Sequence, residues 1–175
     1  RTALLDSRLV VGDQKLFRKL RDRFRKDCIE KDKTRFFEER SLDINTRHAK
    51  WSHTVFLQEP NIKESPGTLR DYHNLDWIID AEAGTRSMTE LVRKRILTRH
   101  ARRELKDAFN FLHRVRNALH YYDQGNDILT LRFLGIIAKE FGYHQKTILR
   151  RIEVLMREYY THARRVHTPP RPNFE

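Results

Sequence analysis

Cysteine occurs once in the 175 residues, at Cys28 within RKDCIEKDK. A single thiol cannot close an internal disulfide, and it has no neighbour at metal-ligand or redox spacing. Long apolar runs are also missing. No stretch approaches the ~20 residues needed to cross a bilayer. The opening RTALLDSRLVVGD lacks the ordered basic, apolar and small-residue regions of a secretory signal, so the expected compartment is the cytoplasm. With only six glycines and five prolines, the composition excludes collagen-like and low-complexity chains. Self-contained catalytic motifs are absent as well. There is no Asp-x-Asp pair, no Walker-type loop, no GxGxxG, no HExxH, no CxxC and no His-Asp dipeptide. The nine histidines include no HxH or HxxxH pair, which argues against a histidine-rich metal site read from spacing alone.

What is present is charge and helical periodicity. Lysine and arginine outnumber aspartate and glutamate by 36 to 24, a net charge of +12 that calls for an anionic partner. Charge alone does not choose between nucleic acid and the phosphates of a nucleotide. Asp13 is placed to cap a helix carrying Leu16, Phe17, Leu20 and Phe24, and the charge-dense stretch from Arg25 to Arg40 reads as a solvated helix. In TVFLQE the alternation of Val55 and Leu57 with polar residues predicts a short strand. Helix resumes near Thr68, with Leu69, Leu75, Ile78 and Ile79 on one stripe up to Gly84, and Ser87 to Glu90 has capping-box spacing. The clearest period is Leu105, Phe109, Leu112, Leu119 and Tyr122, which predicts a core helix. DQGND reads as a turn, Leu134, Ile137 and Phe141 as a short helix, and Ile148 to Val166 as a long final one. The expected fold is mainly α, a bundle of about six to eight helices with at most one short strand or extended segment near 54–59. Because it begins at Arg1 and mid-pattern, the chain is expected to be an excerpt of a larger protein.

Two places carry candidate chemistry. In EPNIKESPGTLRDYH, Pro60 and Pro66 break regular hydrogen bonding, Gly67 permits unusual dihedrals, and Lys63 and Arg70 bring cations to a turn that enters a helix N-terminus. Glu59 and Asp71 are placed to bind a cation or to orient those side chains. One reading is an anion cradle; the other is a helix-entry loop with surface charge. In HRVRNALH, Arg116 and His120 stand four apart on one helix face, with His113 and Arg114 beside them. They either grip phosphates or pair with carboxylates of neighbouring helices.

Taken together, these segments resemble the bifunctional uridylyltransferase/uridylyl-removing enzymes of the PII signal protein. LLDSRLVVGDQKLF is similar to a family segment L-L-[DE]-x-R-hydrophobic-G-D-x-x-L, and TVFLQEPNIKESPGTLRDYH to T-x-Y-x-L-E-P-D-I-K-x-x-P-G-G-L-R-D. FLHRVRNALH resembles F-L-W-R-V-R-x-x-L-H, and EVLMREYYTHARRVH resembles V-x-x-x-M-x-x-Y-Y-x-x-A-R-x-[VI]. The resemblance implies a magnesium-dependent nucleotidyltransferase core, then a helical domain, a His-Asp hydrolase domain and two ACT domains. It implies transfer of UMP from UTP to a tyrosine of PII, with metal ligands upstream of this chain. Residues 1–12 then correspond to the end of the nucleotidyltransferase core, 13–167 to the helical domain and 168–175 to a proline-rich linker. By the same resemblance, Glu59, Lys63, Arg70, Asp71, Arg114, Arg116 and His120 are nucleotide, phosphate or domain contacts, and Asp6 is a candidate third carboxylate. The chain alone is expected to be inactive. It departs from the family at Asn61, Thr68, His113 and Leu134, where Asp, Gly, Trp and Gln are usual. The alternative is a basic helical module that binds nucleic acid or a protein partner without catalysis.

Overall fold

The computed structural model describes residues 2–168; the proline-rich segment expected as a linker lies outside the described residues except for Thr168. The described residues form helices joined by loops. In order come α1 (Thr2–Leu5), α2 (Gln14–Cys28), a 3-10 turn (Glu30–Asp32), α3 (Lys33–Ala49), α4 (Leu69–Ala83), α5 (Met88–Arg93), α6 (Arg99–Tyr122), α7 (Leu131–Glu140) and α8 (Ile148–His167).

Capping explains most of the boundaries. Asp13 accepts from the Lys15 and Leu16 amides to start α2, Thr98 accepts from Ala101 to start α6, and Thr147 accepts from Arg150 to start α8. Ser87 caps α5 through the Glu90 amide, but the reciprocal half of the capping box is diverted. Glu90 instead takes the Thr85 hydroxyl, and that hydroxyl accepts the Ser87 amide. Gly84 closes α4 in the left-handed region at φ 72°, as its position after the apolar stripe predicts.

Two expectations change. The stretch from Arg25 to Arg40 is broken: Ile29 leaves the α2 axis and buries its side chain in a cluster with Leu5, Phe36, Trp77 and Ala81, so α3 starts anew behind the Asp32 cap. Burial of one isoleucine outweighs the weak helical preference of a charged run. The strand predicted in TVFLQE does not form, and no strand occurs among the described residues. Val55 is buried in the main core from irregular backbone, and the extended pairing lies a few residues later. There Asn61 and Ile128 form an isolated antiparallel bridge, with the Ile62 amide on the Asp127 carbonyl (2.8 Å) and the Leu129 amide on the Pro60 carbonyl (2.9 Å).

The main core lies between α6, α7 and α8 and runs under the 59–73 loop. Leu112, Val115, Leu119, Leu129, Ile137, Leu155, Tyr159 and Ala163 are its centre. Tyr122, expected on the same stripe, projects from the end of α6 and is exposed. A second cluster joins α5 to α4 and the start of α6 through Ile79, Leu91, Leu97, Ala101 and Leu105.

Candidate functional site: the loop between α3 and α4 and the face of α4 and α6

The loop is a rigid frame whose main-chain polar groups are used internally. The Asn61 side chain accepts from the Lys63 and Glu64 amides, the Asn61 amide bonds Ser65 Oγ, and the Thr68 hydroxyl donates to the Ser65 carbonyl. Every amide from Gly67 to Tyr72 has an acceptor: Asp71 Oδ2 for Gly67, then the carbonyls of Ser65, Ile62, Lys63, Thr68 and Thr68. No amide of the first turn of α4 is left for an anion. Any phosphate on this face must therefore be met by side chains.

Gly67 is the fixed point of that frame. Its φ is +77°, and a Cβ would drive into the Ala163 carbonyl of α8. The neighbouring Thr68 has ordinary extended backbone, φ −105° and ψ −166°, so this position does not require the second glycine usual in the family segment. Asn61 makes the two-amide turn that an aspartate would make in its place.

Four of the candidate residues form two pairs. Lys63 and Arg70 are half-buried and joined through their backbones, the Arg70 amide on the Lys63 carbonyl at 2.9 Å; the Arg70 guanidinium rests on Glu64 at 3.2 Å. Arg116 grips Asp127 with two bonds, 2.7 and 3.4 Å, and His120 adds a third at 2.7 Å. Burial raises the Asp127 carboxyl, but these cationic partners outweigh it and hold the group below its ordinary range. The rings of Trp77, His73, Phe109 and His113 follow one another at centroid distances of 6.1, 6.3 and 4.3 Å. Burial lowers the His73 pKa, opposed by Asp6 and reinforced by Arg70, His113 and Arg116. Burial and Arg116 lower that of His113. His73 and His113 thus meet the same Phe109 ring, with Arg70 one turn from His73 on α4 and Arg116 one turn from His113 on α6.

The other candidates lie elsewhere. Asp71 is buried: His48 Nε2 is 2.8 and 3.0 Å from its oxygens, Arg47 2.7 Å away, and the Gly67 amide 2.6 Å. It ties α3 to the loop and does not face solvent. Glu59 accepts the Leu131 amide and so caps α7, where Thr130 makes no side-chain cap. Arg114 lies over the Phe141 ring at 3.8 Å, apart from Arg116. Asp6 accepts from Trp77 Nε1 and from Arg86, and Arg86 also meets Asp76 and Asp80. A guanidinium at the centre of three carboxylates does not fit a magnesium ion, which needs open oxygens. Burial pushes Asp76 up from 3.8 to about 6, Arg86 opposing and Asp80 and Asp6 adding to the rise.

Sequence reasoning missed Asp127, His48 and Arg47. Asp127 was hidden inside a segment legible only as a turn, and the His48 to Asp71 link spans residues too far apart for any motif.

The family model described as GlnD PII-uridylyltransferase matches residues 35–169, which include the whole of this loop and face. The chain belongs to the PII-uridylyltransferase family. Bifunctional uridylyltransferase/uridylyl-removing enzymes of Cupriavidus metallidurans and Cupriavidus pinatubonensis are each 36% identical to it, over 95% and 94% of the chain. That of Burkholderia mallei is 37% identical over 94%. In each case the match covers 19% of the relative, so the chain spans about a fifth of the length of these family members. No solved structure matches it significantly. Among the described residues, no helix is long and apolar enough to cross a membrane.

The other two family departures also have a structural setting. His113 packs its ring edge-on to Phe109, an aromatic group where the family has Trp, and Leu134 is buried in the main core.

Proposed function

We propose that this chain is the helical domain beside the nucleotidyltransferase core of a PII-uridylyltransferase, and that its α4 and α6 face forms one wall of the UTP site. The observation that supports the reading is the contact of His73 of α4 and His113 of α6 with one Phe109 ring, with Arg70 a turn from His73 and Arg116 a turn from His113. Lys63 and Arg70 are the side chains to meet the triphosphate, because the loop amides are already bonded. Arg116 and His120, held by Asp127, keep the α6 side of the face in place. The rings offer an apolar surface of the kind on which a base stacks.

Magnesium belongs with carboxylates outside this chain, where it would neutralise phosphate charge during attack by a PII tyrosine hydroxyl on the α-phosphorus of UTP. Alone, the 175-residue chain then binds UTP weakly and transfers nothing. In the full-length enzyme, Lys63→Ala and Arg70→Ala are expected to cut UMP transfer to a PII-type protein with the fold intact. Unchanged transfer by both variants removes the assignment. If the charge of +12 instead serves nucleic acid, the isolated chain retards DNA or RNA in gels at low salt and loses it steeply as salt rises.

A further inference from the structure

We infer that His48, Asp71 and His167 form a site for a zinc-class divalent cation where α3, the start of α4 and the end of α8 meet. One ligand atom from each of the three lies within 4.8 Å of the others. His48 Nε2 already stands 2.8 Å from Asp71 Oδ2 and 3.0 Å from Oδ1. Bond lengths of about 2.0–2.2 Å in a tetrahedral site put ligand atoms roughly 3.3 Å apart. On binding, the hydrogen-bonded His48–Asp71 pair opens by about 0.5 Å and the widest pair closes by at most about 1.5 Å. His167 is the last residue of α8, where a side chain can move that far without disturbing the helix.

The chemistry of the surroundings fits an ion. Two imidazoles and one carboxylate are a donor set for zinc, cobalt or ferrous iron and a poor one for magnesium. His48 and Asp71 are buried, and His167 Nδ1 and the buried Tyr159 hydroxyl have no hydrogen-bond partner. Arg47 Nη2 and the Gly67 amide orient the Asp71 carboxylate from outside, as second-layer groups do around a metal ligand. The last-turn carbonyls of α8 add negative potential at the same end. To bind, His48 presents Nε2 without its proton, as the Nδ1–H tautomer. Three protein ligands leave a fourth position for water.

The test is titration of the 175-residue protein with zinc chloride by calorimetry and with cobalt chloride by visible absorption. The expected result is one ion per chain with the intense visible bands of four-coordinate cobalt, no saturable binding of magnesium chloride, and a rise in Tm in the presence of zinc. His167→Gln is expected to weaken zinc at least about tenfold. His100→Gln, an exposed histidine of α6, should leave affinity unchanged. Circular dichroism of each variant checks the fold. In the unmodified protein, zinc must shift the imidazole resonances of His48 and His167 in NMR spectra, a readout independent of whether the variants fold. Absence of zinc binding, equal affinity in His167→Gln, or shifts confined to other histidines overturns the proposal.

Discussion

The two ends of this bundle combine apolar burial and ion pairing in different proportions. Around α6, α7 and α8 the chain buries a continuous apolar core, and the 59–73 loop is bolted onto it through Gly67 against Ala163. At the other end α2 has no buried residue. It is attached by Arg25 to the Asp80 carbonyl at 2.9 Å and by the partly buried Phe24, which packs on the small cluster of Leu5, Ile29, Phe36, Trp77 and Ala81; Arg86 meets Asp6, Asp76 and Asp80 beneath, and Leu16 and Leu20 are 67% and 52% exposed. Apolar burial is worth about 1.5–3 kcal/mol per large side chain, whereas partly exposed ion pairs contribute on the order of 1 kcal/mol or less. The difference teaches where precision is kept: the candidate site stands on the rigid end, and the loosely held end presents apolar surface.

The largest break of that contrast is Gly67→Ala. A Cβ at φ +77° against main chain cannot be relieved by a side-chain rotation, so urea unfolding should show a loss of roughly 4 kcal/mol or more. Leu112→Ala, at a fully buried position of α6, should cost about 2–5 kcal/mol in the same assay.

Some of this was legible in the sequence and some was not. The spacing of Leu105, Leu112 and Leu119 and the caps Asp13 and Ser87 specify their helices locally, so the bundle could be read from the residues. The break at Ile29 depends on Trp77 and Phe36 lying across from it, which no local pattern encodes. Lys63 and Arg70 were visible as a motif. The burial of Asp71 was not, because His48 and Arg47 reach it from another helix. Of the two readings open for the entry to α4, an anion cradle or a helix-entry loop, a cradle of main-chain amides is closed by the loop's own carbonyls and Asp71, a matter of backbone path rather than composition.

Acid separates the two ends more finely. His162 in α8 is buried and stacked on Phe111 at 4.5 Å, and burial lowers its pKa, Arg165 adding and Glu158 and Asp107 opposing. Its stabilising contribution is complete above the ordinary 6.5 and is lost as pH falls through the depressed value. His162→Phe should flatten the acid side of the stability profile. Asp76 has the opposite sign: its contribution is present below 3.8 and is lost as pH rises through about 6. Asp76→Asn should therefore stabilise the protein at pH 7.5, the gain shrinking as the pH approaches 4, in unfolding curves taken across that range. The smallest effect is at Leu16→Ala, which should change stability by no more than about 0.5 kcal/mol.

The central claim is that the rigid end presents Arg70 to the triphosphate of UTP. Steady-state UTP kinetics of the full-length enzyme carrying Arg70→Ala, beside the exposed Arg150→Ala of α8, tests it most directly. The account predicts a KM for UTP raised about tenfold or more by Arg70→Ala and unchanged by Arg150→Ala, as expected for loss of a charge-assisted phosphate contact. Equal UTP kinetics in both variants, with both folded, would contradict it.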